Sequence, residues 1–191
     1  MKRLVLCGLS VVLLAAVQLQ AAIIFNTFGP GDTFLTNPGR VVGNSAFEFD
    51  IGSQFAITVG TPHTLDSIEL AACLLSGTNE IDVWLMSDAL GEPGAVIEAF
   101  NFQNLPDYSS ENRPLLVGNS TLNPILTPGT NYWLVASAPN ADTFAIWNYS
   151  DWSHTGTMAS RQGTGDWFVA NDTMTAYRIN GSPYVLSLIH I

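Results

Sequence analysis

The stretch TLDSIELAACLLSGTNEIDVWLMSDALGEPGAVIEAF, residues Thr64–Phe100, decides the fold. It contains three runs rich in Ile, Val, Leu and aromatic residues, and two turns with glycine separate them. Short apolar runs bounded by Gly, Asn and Pro are typical of antiparallel strands. The segment therefore predicts a three-stranded meander with strands at Leu65–Leu75, Ile81–Met86 and Ala95–Phe102, and turns at Ser76–Asn79 and Ala89–Gly94.

Strand-like runs recur along the rest of the chain, and sustained helical periodicity is lacking. The 16 glycines and 10 prolines leave few uninterrupted windows long enough for a helix. Residues 23–44 are rich in Gly, Pro and Asn and are predicted to form loop and sheet edge. Further strands are predicted at Ala46–Ile51, Gln54–Val59, Leu115–Val117, Tyr132–Ala138, Thr143–Tyr149, Thr157–Arg161, Asp166–Val169 and Thr175–Ile179. Together they predict a single all-β domain over residues 23–181, an antiparallel, jelly-roll-like β-sandwich.

Alternation along the strands assigns their faces. In the run Ile81–Met86, the side chains of Ile81, Val83 and Leu85 are predicted to face the core. Asp82, Trp84 and Met86 then share the opposite face, because successive side chains of a strand point to opposite sides. The run Leu65–Leu75 is apolar on both faces and is predicted to be one central strand.

The first 22 residues are expected to be an export signal. A basic start, Lys2-Arg3, precedes the apolar stretch Leu4–Val17, and Ala21 offers a small residue for cleavage before Ala22 or Ile23. The apolar stretch is too short to span a bilayer comfortably. We therefore expect an extracellular or cell-surface location and no transmembrane segment in the mature chain.

The end of the chain, residues 182–191, has two interpretations. The sequence LSLIHI resembles a translated adaptor, which would make this segment a non-native tail of a truncated chain. It also fits a short genuine final strand. Both interpretations stay open at this point.

Charge and cysteine content exclude several classes of protein. Lys2 is the only lysine, so the part after residue 22 carries four arginines against sixteen acidic residues, a net charge of −12. Such a chain repels nucleic acid and anionic lipid surfaces, which need clustered Lys and Arg. Cys73 is the only cysteine after the signal, so no intramolecular disulfide can form, and we expect it to be buried and inert.

Several stretches resemble the choice-of-anchor R domain of bacterial exported proteins. They are the strand TLDSIEL from Thr64, the turn Ser76–Thr78, the run VWLMSD from Val83 followed by Gly91–Gly94, the stretch LTPGTNYWLV from Leu126, and YRING from Tyr177. The resemblance covers residues 46–181. It implies a secreted or surface β-sandwich, often followed by an interchangeable sorting signal of the PEP-C-terminal type, and it supplies no catalytic residues. The chain departs from the family because no Pro-Glu-Pro motif follows Gly181.

Motifs of catalysis are weak, and we expect no enzyme activity. The chain has no Gly-x-Ser-x-Gly and no His-Glu-x-x-His. His63 and His154 lie in turns and are predicted to face solvent. Two pairs of carboxylates, Glu48/Asp50 and Glu80/Asp82, are spaced so that each pair lies side by side on one face of a strand. We interpret them as the ordinary alternation of polar side chains on a surface strand.

A structural calcium ion is the one metal that the sequence makes a candidate, and no other cofactor is expected. Calcium takes six to eight oxygen ligands, which loops rich in Asp, Asn and Gly can supply. The candidate ligands are Asp32, Asp142 and Asp172.

A cluster of aromatic residues in the last third of the chain is the candidate binding site: Trp147, Tyr149, Trp152 and Trp167. Flat rings beside amides and carboxylates suit a sugar, whose C–H faces stack while its hydroxyls form hydrogen bonds. Core packing is the favoured alternative, because each ring buries about 150–250 Å². Strand alternation places Trp147 and Tyr149 on the same face.

Two functions follow as hypotheses. The first is a non-catalytic exported protein associated with the cell surface or with extracellular polysaccharide, held by a C-terminal signal that the sequence lacks. The alternative is a carbohydrate-binding module that uses the aromatic cluster. In both, the partners are extracellular polysaccharide or envelope components.

Overall fold

A computed structural model describes residues 21–43, 49–58, 60–151 and 154–185 of the protein. The described residues form strands and connecting turns. The strands are β1 (Ala22–Asn26), β2 (Gly39–Gly43), β3 (Phe49–Ala56), β4 (His63–Leu70), β5 (Ala72–Ser76), β6 (Glu80–Ala89), β7 (Glu92–Gln103), β8 (Leu116–Asn119), β9 (Ile125–Leu126), β10 (Asn131–Ser137), β11 (Phe144–Asn148), β12 (Thr155–Gln162), β13 (Phe168–Thr173) and β14 (Tyr177–Pro183).

The strands form two sheets, and their pairings are antiparallel. The five-stranded sheet has the order β1-β14-β4-β8, with β9 also paired to β4. The nine-stranded sheet has the order β5-β11-β2-β3-β10-β6-β7, with β12 paired to β3 and β13 to β12. The prediction of an all-β antiparallel sandwich is confirmed.

Eight of these strands follow the order of a jelly roll. When β1, β3, β4, β6, β7, β9, β10 and β14 are numbered 1 to 8 along the chain, the sheets have the orders 1-8-3-6 and 2-7-4-5. This is the arrangement of two interlocked Greek keys. Of the remaining strands, β8 joins the first sheet beside β4, and β2, β5, β11, β12 and β13 extend the second sheet beyond β3.

The main core lies between the sheets and is built by the alternation that the sequence predicts. Ile81, Val83 and Leu85 of β6 are fully buried there, as predicted. Leu65, Ile68 and Leu70 of β4 contribute from the facing sheet. Aromatic rings close one end of the core, where the Tyr177 ring centroid lies 5.4 Å from that of Phe25 and 5.7 Å from that of Trp147.

The predicted three-stranded meander is wrong in its first strand. The run Leu65–Leu75 divides at Ala71 into β4, which pairs with β14, and β5, which pairs with β11 in the other sheet. Ala71 is the corner at which the chain changes sheets, because its N–H donates to Ala176 and its carbonyl accepts from Asn148. A run that is apolar on both faces is also what such a corner needs. The hairpin β6–β7 is the part of the meander that forms.

Two other strand predictions also need correction. The strands predicted on either side of Gly52 form one continuous strand, β3, since Gly52 lies beneath the Trp133 ring rather than in a turn. Residues 23–44, predicted as loop and sheet edge, contain two strands: β1, which does lie at a sheet edge, and β2, which lies between β11 and β3 in the other sheet. Residues 46–48 and Val59 of the predicted strands lie outside the described residues.

At the ends, the fold reaches slightly beyond the predicted boundaries. β1 begins at Ala22, and β14 continues through Ser182 and Pro183, which pair with Thr64 and His63. Residues 1–20 and 186–191, with most of the predicted signal and tail, lie outside the described residues. Within the described ranges, no helix has the length and apolarity needed to cross a membrane.

Candidate functional site

The outer face of the nine-stranded sheet, which points away from the main core, carries the candidate site. Two neighbouring rows of side chains cross it. The strand register places an apolar row in line across β6, β10, β3, β12 and β13: Trp84, Val135, Gly52, Ala159 and Val169. The next row is polar and contains Asp82 opposite Ser137, and Asp50 opposite Arg161.

The apolar row belongs to a second, smaller core on this outer face. Trp133, Val135 and Ala159 are buried in it, and Trp84 and Trp167 pack against it while they remain partly exposed. Trp133 lies across Gly52, where an added Cβ would come within 3.3 Å of the ring. Its indole N–H donates to Asp88 Oδ1 at 2.8 Å. An outer sheet face of this kind holds rigid rings near the surface.

The polar row contains an ion pair set among these rings. Arg161 donates from Nε to Asp50 Oδ2 at 2.7 Å, and only 10% of the Asp50 side chain and 26% of the Arg161 side chain is exposed. The Arg161 guanidinium also lies over the Trp167 ring, with its carbon 4.5 Å from the ring centroid. The aromatic face and the carboxylate together hold the guanidinium in one orientation.

An open cleft lies over this pair. It has a volume of about 380 Å³, within the range typical of small-ligand sites. Asp50, Arg161 and Trp84, which lie on strands of the sheet, line this cleft. Ser137 at the end of β10 also lines it, together with residues of the connections after β10 and after β12: Ala138, Pro139, Ala141, Gly163 and Thr164.

The predicted aromatic cluster is divided by the fold. Trp147 is fully buried in the main core and donates its indole N–H to the Ala176 carbonyl at 3.1 Å, so its assignment to a binding platform is wrong. Strand alternation turned it inward, as the core alternative expected. Trp167 lies beside the cleft through its contact with Arg161. Trp152 lies outside the described residues.

Tyr149 lines a different groove, of about 280 Å³, on the opposite side of β3 and β12. Phe49 and Ser160 also line it, and they alternate with the cleft residues Asp50 and Arg161 along the same two strands. The Arg40 guanidinium lies 5.6 Å from the Tyr149 ring centroid. Tyr149 and Trp167 therefore belong to separate surfaces.

The three predicted calcium ligands also lie apart, each with a protein partner. Asp32 accepts from Arg178 at 2.9 Å, Asp142 accepts from the Thr78 hydroxyl at 2.8 Å, and Asp172 pairs with Arg40. Among the described residues, no group of three His, Cys, Asp or Glu side chains converges as a metal site would require. The three aspartates therefore do not form a common site.

The remaining titratable groups of interest occupy structural positions. His63 is buried, with Nδ1 2.7 Å from the Thr61 carbonyl oxygen, so its predicted exposure is wrong. His154 is partly exposed, with Nδ1 3.0 Å from Asp151 Oδ1. Cys73 is buried as predicted, and burial raises the pKa of its thiol despite the nearby Arg113.

The carboxylates Glu80 and Asp82 are held by Asn101, whose amide donates to both at 2.7 and 2.9 Å. That hydrogen bond is the main reason why the pKa of Glu80 lies below its usual value. Both carboxylates accept hydrogen bonds from a neighbouring surface side chain, which fits their interpretation as surface residues.

Sequence reasoning missed Asp50, Arg161 and Trp84 as members of one site. The alternation of side chains along each strand placed Asp50 and Trp84 on outward faces, but the pairing of the strands decides which outward side chains become neighbours. No short motif connects residues 50, 84 and 161, since the fold brings them together across three strands. Comparison of the chain with known protein families, with characterised proteins and with solved structures finds no match.

Proposed function

We propose that this is an exported, non-catalytic protein that binds extracellular polysaccharide in the cleft over Asp50 and Arg161. The observation that carries the proposal is the combination of a half-buried indole, Trp84, with a fixed carboxylate and guanidinium in one open cleft. A sugar ring has apolar C–H faces that stack on an indole and hydroxyls at its edge that need donors and acceptors. The cleft offers both kinds of contact.

The absence of a second acid favours binding over hydrolysis. Among the described residues that line the cleft, Asp50 alone carries a carboxylate, and it is already paired with Arg161. Glycoside hydrolysis needs two carboxyl groups across the scissile bond, one of them with a raised pKa. A cleft with one paired carboxylate supports retention of a sugar.

The predicted export signal and the resemblance to the choice-of-anchor R domain support a location outside the cell. An acidic domain without a disulfide can fold there, because a sandwich of this size buries enough apolar surface for stability. Polysaccharide at the cell surface or in the surrounding matrix is then the accessible partner.

Affinity electrophoresis in gels that contain soluble polysaccharides tests the proposal. We expect wild-type protein to be retarded in at least one of laminarin, galactomannan, xylan, alginate or polygalacturonate. Trp84→Ala should weaken that retention roughly tenfold or more, as expected for loss of a central aromatic contact.

The matched control is Phe168→Ala, which removes an aromatic ring that is 72% exposed and lies outside the cleft. It should bind as wild type does, and near-ultraviolet circular dichroism should show that both variants are folded. Unretarded wild type in every gel, or full retention by Trp84→Ala, would contradict the proposal.

A further inference from the structure

The donors and acceptors in the cleft specify more than a general affinity for sugars. Arg161 uses Nε for Asp50, and its two terminal nitrogens have no hydrogen-bond partner among the described residues. Asp50 uses Oδ2 for Arg161, which leaves Oδ1 to accept another hydrogen bond. The pair thus presents donors beside an acceptor at the base of the cleft.

From this arrangement we infer that the ligand is an uncharged saccharide whose adjacent hydroxyls are bound by Asp50 and Arg161. The inference rests on the proposed function and adds the chemical class of the sugar. Each hydroxyl is both a donor and an acceptor. One hydroxyl donates to the Asp50 carboxylate, and its neighbour accepts from a terminal nitrogen of Arg161, while the ring lies against Trp84.

Charge in and around the cleft disfavours an anionic sugar. Asp50 already neutralises Arg161, the one cation among the described residues that line the cleft. Asp82 lies in the same polar row and adds negative charge. The part of the chain after residue 22 has a net charge of −12, so a polyanion such as a uronate polymer meets repulsion at long range as well.

The aromatic support of Arg161 strengthens the inference. The guanidinium lies over Trp167 and is held from the side by Asp50. A guanidinium fixed in this way keeps its terminal nitrogens pointing in a constant direction, so less rotamer freedom is lost when hydroxyls bind. A preorganised pair of donors selects a ligand by the positions of its hydroxyl groups and not by its charge alone.

The test measures retention of wild type, Asp50→Asn and Arg161→Lys by a neutral polymer (laminarin or galactomannan) and an anionic one (alginate or polygalacturonate) at low and high salt. We expect retention by a neutral polymer with little dependence on salt. Asp50→Asn and Arg161→Lys should each weaken it roughly tenfold or more, since Asn lacks the carboxylate charge and Lys lacks the planar, paired terminal N–H groups of the guanidinium. Circular dichroism checks that both variants fold. If Asp50→Asn does not fold, Arg161→Lys alone still tests the inference, because it preserves the positive charge that Asp50 needs nearby.

Other outcomes separate the two proposals. Retention by an anionic polymer that strengthens in Asp50→Asn and weakens with salt would overturn the inference and leave polysaccharide binding intact. Neutral binding that both folded variants retain in full would also overturn it. Unretarded wild type in all polymers would overturn the proposed function, and the inference with it.

Discussion

The outer faces of the two sheets are built from the same strand alternation, yet they differ in what they leave available. On the five-stranded sheet, polar side chains of neighbouring strands form hydrogen bonds with one another. Arg178 binds Glu69 at 2.6 Å and Asp32 at 2.9 Å, and Asn180 donates to Glu69 and Ser67. These side chains form one hydrogen-bonded network, in which Arg178 Nε is buried without a partner.

The outer face of the nine-stranded sheet is arranged differently. Its tryptophans form a small second core, and the Asp50–Arg161 ion pair leaves donors of Arg161 without a partner among the described residues, beside partly exposed rings. A polar surface whose groups pair with one another thus differs from one whose groups are free to contact a ligand. A site arises where rigid rings and incompletely satisfied polar groups occur together, because ligand contacts there replace water rather than protein partners.

The largest expected effect concerns the outer face of the nine-stranded sheet, where the tryptophans form the second core. Trp133→Ala should destabilise the protein by about 3–5 kcal/mol, as for other buried large-to-small substitutions, because the fully buried indole fills the space over Gly52. Urea denaturation followed by circular dichroism measures the loss. Trp133→Phe is the control that retains a ring and loses the hydrogen bond to Asp88. A loss below about 1 kcal/mol in Trp133→Ala would show that this face adds no core.

A smaller effect is expected on the outer face of the five-stranded sheet. Arg178→Met should destabilise the protein by about 1–3 kcal/mol, because Glu69 loses a donor while its side chain stays only 17% exposed. The same variant should retain polysaccharide as wild type does, since the two faces lie on different sheets. Loss of binding in folded Arg178→Met would contradict the separation of the faces.

The smallest expected effect is the pH dependence of protein stability that arises from the outer face of the five-stranded sheet. A hydrogen bond from Arg178 is the main reason why the pKa of Glu69 lies below its usual value. A depressed carboxyl pKa stabilises the fold above the unfolded-state value of about 4.3, and this contribution is lost as the pH falls through the lower, folded-state value. Urea midpoints from pH 7 to pH 3 should therefore fall less steeply in Glu69→Gln than in wild type.

Ser67→Ala is the control for this titration, because it removes a neutral side chain from the same network. Its midpoint should fall with pH as steeply as that of wild type. Equal slopes for Glu69→Gln and wild type would show that Arg178 does not couple Glu69 to folding.

Much of the fold could be predicted because short-range pattern controls it. The inward residues of β6 and the all-β class follow from alternation and from the spacing of turns. The failures have one physical cause, which is that the backbone or side-chain partner that decides the local structure lies far away in sequence. Ala71 divides a continuous apolar run because Ala176 and Asn148 provide its hydrogen bonds. Gly52 resembles a turn in sequence, but it serves as space for the Trp133 ring.

The candidate site shows the same limit more sharply. Composition indicated that aromatic rings and acids could bind a sugar, and Trp167 does lie beside the cleft. Trp147, from the same sequence cluster, is turned into the core by one step of alternation. Asp50, Trp84 and Arg161 are too far apart in the chain for any local pattern to connect them.

The sequence by itself therefore determined the strand class, the inward faces and the acidic charge of this protein, because each depends on neighbouring residues or on composition. Only the tertiary structure decided which outward faces meet, where the chain changes sheets, and that Asp50, Arg161 and Trp84 share a cleft. These depend on the register between distant strands, and the register is set when both sheets close over one core.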